Sequence, residues 1–308
     1  MPKQPKSEIR KDYFLNKYVV ITPSRAKRPV DLREHTIKEK PGHCFLCPDG
    51  VEEKQVVEAF GQGKPWNFMV LKNKYPVFTD DNEKAYGRQE VLIETPDHGV
   101  ILGELPEKTL EELLNLYSHR TVELSRDKKI EYVLVFKNQG SKAGASLAHA
   151  HSQIYATEFL PPDILHELTE AKKYYTATGH CPYCDIIKQE MKGRRKIFED
   201  DSVAAFAPYA SQHHYETWIF PKRHLDNITS LNAAEFSSFA RSLKLILFKL
   251  HQLGLAYNFF MHQVISDNNQ HFFLKIQPRE NVWGGVELGS GLVINSVAPE
   301  TAAKFYRA

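Results

Sequence analysis

The chain has 308 residues, enough to bury a sizeable core as one large domain or two medium ones. Its composition is that of an ordinary soluble globular protein, and 40 Lys and Arg against 38 Asp and Glu leave a net charge of +2, too little global field to draw in a polyanion such as nucleic acid. There is no apolar run near about 18 residues to span a membrane, and the polar, basic stretch Met1–Asp12 lacks the apolar core of a secretory leader. The expected compartment is the cytoplasm, where two cysteine pairs, Cys44/Cys47 and Cys181/Cys184, point to metal before disulfide.

In chain order, the first predicted element is a short apolar strand, Tyr18 to Ile21, amid a basic cluster of Arg10, Lys11, Arg25, Lys27, Arg28 and Arg33. Arg25 and Arg28 follow a turn at Thr22-Pro23-Ser24 and can clamp a phosphate bidentately, although each taken singly reads as a solvated surface charge. Asn73, in Leu71-Lys72-Asn73-Lys74-Tyr75-Pro76, reads as a polar contact for a ligand or as a turn residue.

The cysteine pairs open an internal repeat. Cys44-x-x-Cys47 is followed by Glu90-Val91-Leu92-Ile93-Glu94-Thr95-Pro96-Asp97-His98 and then Leu105; Cys181-x-x-Cys184 is followed by Glu216-Thr217-Trp218-Ile219-Phe220-Pro221-Lys222-Arg223-His224 and then Leu231. Glutamate, isoleucine, histidine and leucine fall in register. Each block continues with a predicted helix, Pro106 to Leu124 and Asn232 to Leu253, and an apolar strand, Tyr132 to Phe136 and Tyr257 to Met261. A strand-like stretch bearing a histidine, His149 or His271, closes each.

Each copy thus holds a complete N/S ligand set for tetrahedral zinc: Cys44, Cys47, His98 and His149 in the first, Cys181, Cys184, His224 and His271 in the second. A lone C-x-x-C fits buried thiols or a redox pair equally well; the matched histidines favour metal, zinc first, with iron suited to similar ligands. Four protein ligands leave no open position, so both sites are expected to be structural.

The expected fold class is α+β and duplicated, with halves 1–160 and 180–308 built on mainly antiparallel sheets, helices packed on one face, and strand pairing joining the halves at their edges. The segment 161–179, opening at Pro161-Pro162, reads as a linker with a short helix.

The copies differ where chemistry is expected. Two residues beyond His149 stands His151, and two further Gln153; the second copy has Phe273 and Lys275. On a strand, His149, His151 and Gln153 project from one face. With His149 bound to metal, His151 is free to attack phosphorus and form a phosphohistidine-type intermediate, a backbone carbonyl holding its other ring nitrogen. Gln153 can donate to a phosphate oxygen. Upstream, Asn138-Gln139-Gly140-Ser141-Lys142-Ala143-Gly144-Ala145-Ser146 is a small-residue loop whose backbone N–H groups can approach a phosphate, with the Asn138 and Ser146 side chains beside them. The bland alternatives for H-x-H-x-Q are a polar strand face or a third metal site.

These residues resemble the galactose-1-phosphate uridylyltransferase family, a duplicated branch of the histidine-triad superfamily, over nearly the whole chain. The resemblance runs through Arg10-Lys11-Asp12, Val19-Val20-Ile21-Thr22-Pro23, Arg25-Ala26-Lys27-Arg28-Pro29, Cys44/Cys47, Pro96-Asp97-His98 and Gly144-Ala145-Ser146, to Ile294-Asn295; H-x-H-x-Q with its loop is the specific part. It implies that His149 ligates zinc and that His151 is the nucleophile of a ping-pong nucleotidyltransferase. A nucleotide sugar gives its nucleoside monophosphate to the histidine, and a hexose 1-phosphate takes it. The resemblance further implies that Gln153, Ser146, Asn138, Arg25, Arg28 and Asn73 contact phosphates or nucleotide. It also implies a homodimer in which the partner's C-terminal segment, Glu287 to Asn295, helps form the sugar site.

The chain departs from the family pattern in two places: Ala150 stands where proline is common, and His271-Phe272-Phe273 where relatives show H-x-H. The stretch Glu287-Leu288-Gly289-Ser290-Gly291 resembles a subgroup that includes the plant-type ADP-glucose phosphorylase, in which inorganic phosphate is the acceptor. Uridine or adenine as base, and hexose 1-phosphate or phosphate as acceptor, stay open. A non-catalytic zinc-containing nucleotide-binding module is the alternative from another class; the presence of both His151 and Gln153 argues against it.

Overall fold

The computed structural model describes residues 7–27, 44–61, 66–265, 267 and 270–308. In chain order they form β1 (Glu8–Lys11), β2 (Tyr18–Ile21), β3 (Val56–Phe60), β4 (Phe68–Lys72), β5 (Gly87–Ile93), α1 (Glu107–Ser125), β6 (Tyr132–Gln139), β7 (His151–Thr157), α2 (Pro162–Thr178) and α3 (Pro182–Glu190). There follow β8 (Lys196–Glu199), β9 (Val203–Phe206), β10 (Thr217–Pro221), α4 (Ala233–Gln252), β11 (Tyr257–His262), β12 (Phe273–Pro278), α5 (Gly285–Ser290), β13 (Val293–Asn295) and α6 (Pro299–Arg307).

Ten strands make one antiparallel sheet in the order β3-β4-β5-β7-β6-β11-β12-β10-β9-β8. Read outward from the middle, the two directions repeat the same order of equivalent strands, so the duplication seen in the sequence is an architectural one. The expected joint is the β6/β11 seam, with Phe136 opposite Phe260 and Gln139 opposite Tyr257.

One face of the sheet is covered by α1 and α4, which lie against each other. Leu110, Leu113, Leu114, Tyr117, Thr121 and Leu124 recur at helical spacing on α1 and are all buried. On α4, Asn232 and Glu235 form a capping box, Asn232 Oδ1 accepting from Glu235 N–H (3.0 Å) and the Glu235 carboxylate from Asn232 N–H (2.8 Å). A Cβ on Gly103 would stand 2.9 Å from the Leu247 carbonyl carbon, so only glycine lets this turn approach α4. The resulting core is continuous across both halves.

Three features depart from the sequence expectations. First, β1 and β2 pair with β13 in a separate three-stranded sheet that packs on the second half, so the N-terminal residues do not belong by contact to the first. Arg10, expected in a basic patch, is buried: it forks onto Glu300 (3.1 and 3.2 Å) and donates to the Tyr209 carbonyl (3.1 Å). Second, the linker region is a helix of 17 residues that buries Leu168 and Ala171 and brings Glu167 to 3.0 Å from His262 of the second half. Third, the matched glutamates are not equivalent. Leu92 stands opposite Ser152 and Ile219 opposite Leu274, one step out of the sequence match. Glu90 therefore turns to α1 and grips Arg120 (2.6 and 2.9 Å), whereas Glu216 turns to the opposite face, where α2 and α3 pack, and accepts from Trp218 Nε1 (2.9 Å).

Between β9 and β10, His213 stacks on Trp283 with ring centroids 5.5 Å apart, and burial pushes its imidazole down to about 4. An unfolded histidine titrates near about 6.5. The unfolded chain therefore takes up this proton first as pH falls, and stability declines between about 6.5 and about 4, by up to about 3 kcal/mol, with no further loss from this group below. His213→Phe is expected to flatten that part of a urea-derived stability profile relative to wild type. Identical slopes for the two proteins would assign the acid sensitivity elsewhere.

Candidate active site and metal centres

The eight predicted ligands gather in two clusters, Cys44, Cys47, His98, His149 and Cys181, Cys184, His224, His271, the four ligand atoms of each lying within 4.8 Å of one another. Cys47 Sγ is 3.5 Å from His98 Nδ1 and 3.6 Å from His149 Nδ1; Cys184 Sγ is 3.6 Å from His224 Nδ1 and 3.5 Å from His271 Nδ1. Metal–ligand bonds of about 2.0–2.3 Å at tetrahedral angles require ligand separations of about 3.3–3.8 Å, so a single ion fits each cluster. The buried histidines aim Nδ1 at the cysteines because Nε2–H donates to a backbone carbonyl, that of Thr95 for His149 (2.7 Å) and Pro221 for His271 (2.9 Å). Such outer bonds fix ring and tautomer for a ligand. The neighbouring Cys184 holds the Cys181 thiol well below its ordinary value, and Cys181 in turn moves the Cys184 thiol up. A thiolate is the form that binds metal.

The framing differs between the copies. Cys181 caps α3 and Cys184 sits in its first turn, whereas Cys44 and Cys47 lie in a series of turns anchored by Leu46 against Met69, Leu71 and Ile93. His98 and His224 follow β5 and β10 in loops and are not strand residues.

Regular strand geometry in β7 begins at His151, so His151 and Gln153 share a strand face while His149 stands just before it, its ring drawn to the cysteines. Ile154 and Ala156 point into the helix-covered core, which puts His151 and Gln153 on the opposite face. The His151 ring is held by a backbone carbonyl: Nδ1–H donates to His149 O at 2.8 Å. Nε2 then carries the lone pair. Burial moves the His151 imidazole below its ordinary value, and the hydrogen bond to His149 offsets part of that shift. The ring is thus neutral at pH 7, as a nucleophile must be.

The loop after β6 takes its shape from two glycines at positive φ, Gly140 (83°) and Gly144 (85°). Ala143, Gly144 and Ala145 donate their N–H groups to carbonyls of Gly140 and Ser141 inside the loop. These three donors are spent on the turn, contrary to the expectation that they face a phosphate; Ser141 and Ser146 are exposed. Asn138 Oδ1 accepts from Asn258 Nδ2 (2.7 Å), which also donates to Ala143 O (2.8 Å). Sequence reasoning missed Asn258, a second-half residue that braces the first-half loop. Its signal was a polar residue within the apolar run Tyr257 to Met261.

Asn73 Oδ1 closes its own turn by accepting Tyr75 N–H at 2.8 Å, so the turn reading accounts for its oxygen. Arg25 is exposed on the turn after β2 and makes no hydrogen bond or ion pair with His151 or the 138–146 loop among the described residues; Arg28 lies outside them. Glu287 to Ser290 form the end of α5, where Val286 and Leu288 are exposed.

Residues 2–161 match the N-terminal domain of galactose-1-phosphate uridyl transferase. The chain belongs to this family. It is 32% identical to ADP-glucose phosphorylase of Arabidopsis thaliana over 97% of this chain and 92% of that one. To galactose-1-phosphate uridylyltransferase of Thermotoga maritima it is 28% identical, over 97% and 98%. The crystal structure of the Arabidopsis ADP-glucose phosphorylase with bound ADP-glucose superposes with a TM-score of 0.87, covering 98% of each chain at 30% identity. As a galactose-1-phosphate uridyl transferase family member, the protein is an enzyme of the nucleotidyltransferase class. The matched domain is the half that holds His151. No helix among the described residues is long and apolar enough to cross a membrane.

Proposed function

We propose that the protein moves a nucleoside monophosphate from a nucleotide sugar to a phosphate-bearing acceptor through a covalent nucleotidyl-His151. The observation that carries this reading is the bond from His151 Nδ1–H to the His149 carbonyl, which leaves Nε2 unprotonated. In the first half-reaction Nε2 attacks the α-phosphorus; an N–P bond forms, the bond to the bridging oxygen breaks, and sugar 1-phosphate leaves. In the second, a phosphate oxygen of the acceptor attacks the same phosphorus and the ring recovers its lone pair. Gln153, on the same strand face, donates to the phosphoryl oxygens as their charge grows, and Ser146 and Asn138 serve as further polar contacts.

The two Cys2His2 clusters are read as structural zinc sites, the first holding His149 and so the carbonyl that orients His151. Hexose 1-phosphate is the acceptor by family; inorganic phosphate is the second reading, supported by the likeness to an ADP-glucose phosphorylase along the whole chain. Exposed Val282, Val286 and Leu288 around α5 support a homodimer in which this segment reaches the partner's sugar site. The halves are taken along the sequence as 1–160 and 180–308, with the β1/β2 pair of the first packed on the second, and the compartment as the cytoplasm.

The test is intact-protein mass spectrometry after brief incubation with UDP-glucose, UDP-galactose or ADP-glucose and no acceptor. The expected result is a mass increase of one UMP or AMP with one of these donors, reversed by hexose 1-phosphate or by phosphate. Folded, metal-loaded protein that forms no adduct with any of them would favour a nucleotide-binding module.

A further inference from the structure

Beneath His151, on the helix-covered side of the sheet, Lys137 and Glu94 form an ion pair at 2.6 Å, their side chains 1% and 0% exposed. The Lys137 ammonium also donates to the backbone carbonyl of His151 at 3.0 Å. The Glu94 carboxylate accepts from the Tyr117 hydroxyl of α1 (3.2 Å) and from the Ser152 hydroxyl.

The second half shows how the same positions are filled where no nucleophile is present. Phe136 stands opposite Gln153 and Phe260 opposite Lys275, so Lys137 corresponds to Met261. Leu92 stands opposite Ser152 and Ile219 opposite Leu274, so Ser152 corresponds to Leu274 and Glu94 to Pro221. Methionine, leucine and proline build there what a cation, a hydroxyl and an anion build under His151. Burying an ion pair carries a desolvation penalty, and apolar replacement of such pairs is often neutral or stabilising. Stability therefore gives no reason for the charges, and the second half demonstrates that the sheet does not require them.

We propose that Lys137 and Glu94 are positioning residues that fix the backbone at His151 and thereby aim Nε2 at the phosphorus; the inference rests on the nucleotidyl-histidine reading above. The carbonyl of His149 holds the ring and Lys137 holds the carbonyl of His151, so the histidine is pinned at its side chain and at its own backbone. Glu94, tied to α1 through Tyr117, keeps the ammonium in place. Neither residue touches substrate.

The test is the double variant Lys137→Met with Glu94→Leu, which copies the apolar character of the second half without leaving a lone buried charge. Adduct formation is followed by rapid quench and mass spectrometry as a function of donor concentration. The expected result is a melting temperature at or above wild type, an unchanged half-saturating donor concentration, and a limiting rate lower by about ten- to a hundredfold, the scale of a misplaced reacting group. A wild-type limiting rate in the double variant overturns the positioning role while leaving the covalent reading intact. If wild-type protein itself forms no adduct, both fall together. Should the double variant not fold, Ser152→Ala decides by removing one donor to Glu94: a reduced limiting rate supports the role, and a wild-type rate overturns it.

Discussion

Replacing His151 with asparagine is expected to lower nucleotidyl transfer by about four to six orders of magnitude, the usual scale for removing a nucleophile, while metal content and melting temperature stay close to wild type. The structural part of that expectation follows from the site. The ring contributes one specific bond, from Nδ1–H to the His149 carbonyl, and an asparagine amide reaches the same acceptor with its own N–H. The chemical part follows from what asparagine lacks, a neutral nitrogen lone pair able to attack phosphorus. Donor binding should survive, since phosphate and nucleotide contacts come from other residues. Steady-state assays with hexose 1-phosphate and with phosphate as acceptors, beside calorimetric titration of donor, separate the two. Unchanged turnover in the variant would remove His151 from the chemistry.

Cys44→Ser and Cys181→Ser are each expected to remove one metal ion per chain, measured by plasma mass spectrometry, and to lower stability by several kcal/mol on the scale of structural zinc binding. Their effects on activity should differ. Cys44 shares its cluster with His149, whose carbonyl orients His151, so the first variant should lose adduct formation beyond what unfolding explains. The second cluster borders Phe273 and α3 instead, and Cys181→Ser should keep its rate per folded molecule at low temperature. Full metal content in either variant would break the corresponding ligand assignment.

The repeat, the two ligand sets and the H-x-H-x-Q strand were legible because each depends on residue type at a fixed spacing, and β2, α1 and α4 were legible because their apolar residues follow strand or helix periods. The register of β5 against β10 was not. Two strands with similar residues differ by one step, the connection to the histidine absorbs that step, and sequence shows only the sum. Lys137 and Glu94 were hidden for a related reason. A lysine within one apolar strand and a glutamate just after another look like outward-facing polar positions, and only the α1 layer reveals that they face inward. Arg10 was misplaced because its partners, Glu300 and Tyr209, are far away along the chain. The segment 161–179 looked like a linker because its opening prolines punctuate; prolines at the first positions of a helix also start one.

The seam between β6 and β11 has a consequence for how such a chain can change over time. Cutting the molecule after β7 would leave the Phe136 to Gln139 end of β6 as a bare sheet edge offering unpaired N–H and C=O groups to any neighbour. The half without a counterpart of His151 is therefore a permanent edge guard for the half that has it, and through Asn258 it also braces the 138–146 loop. A duplicate that lacks the first copy's H-x-H-x-Q residues is commonly free to erode, but here selection on the first copy reaches into the second through the seam they share.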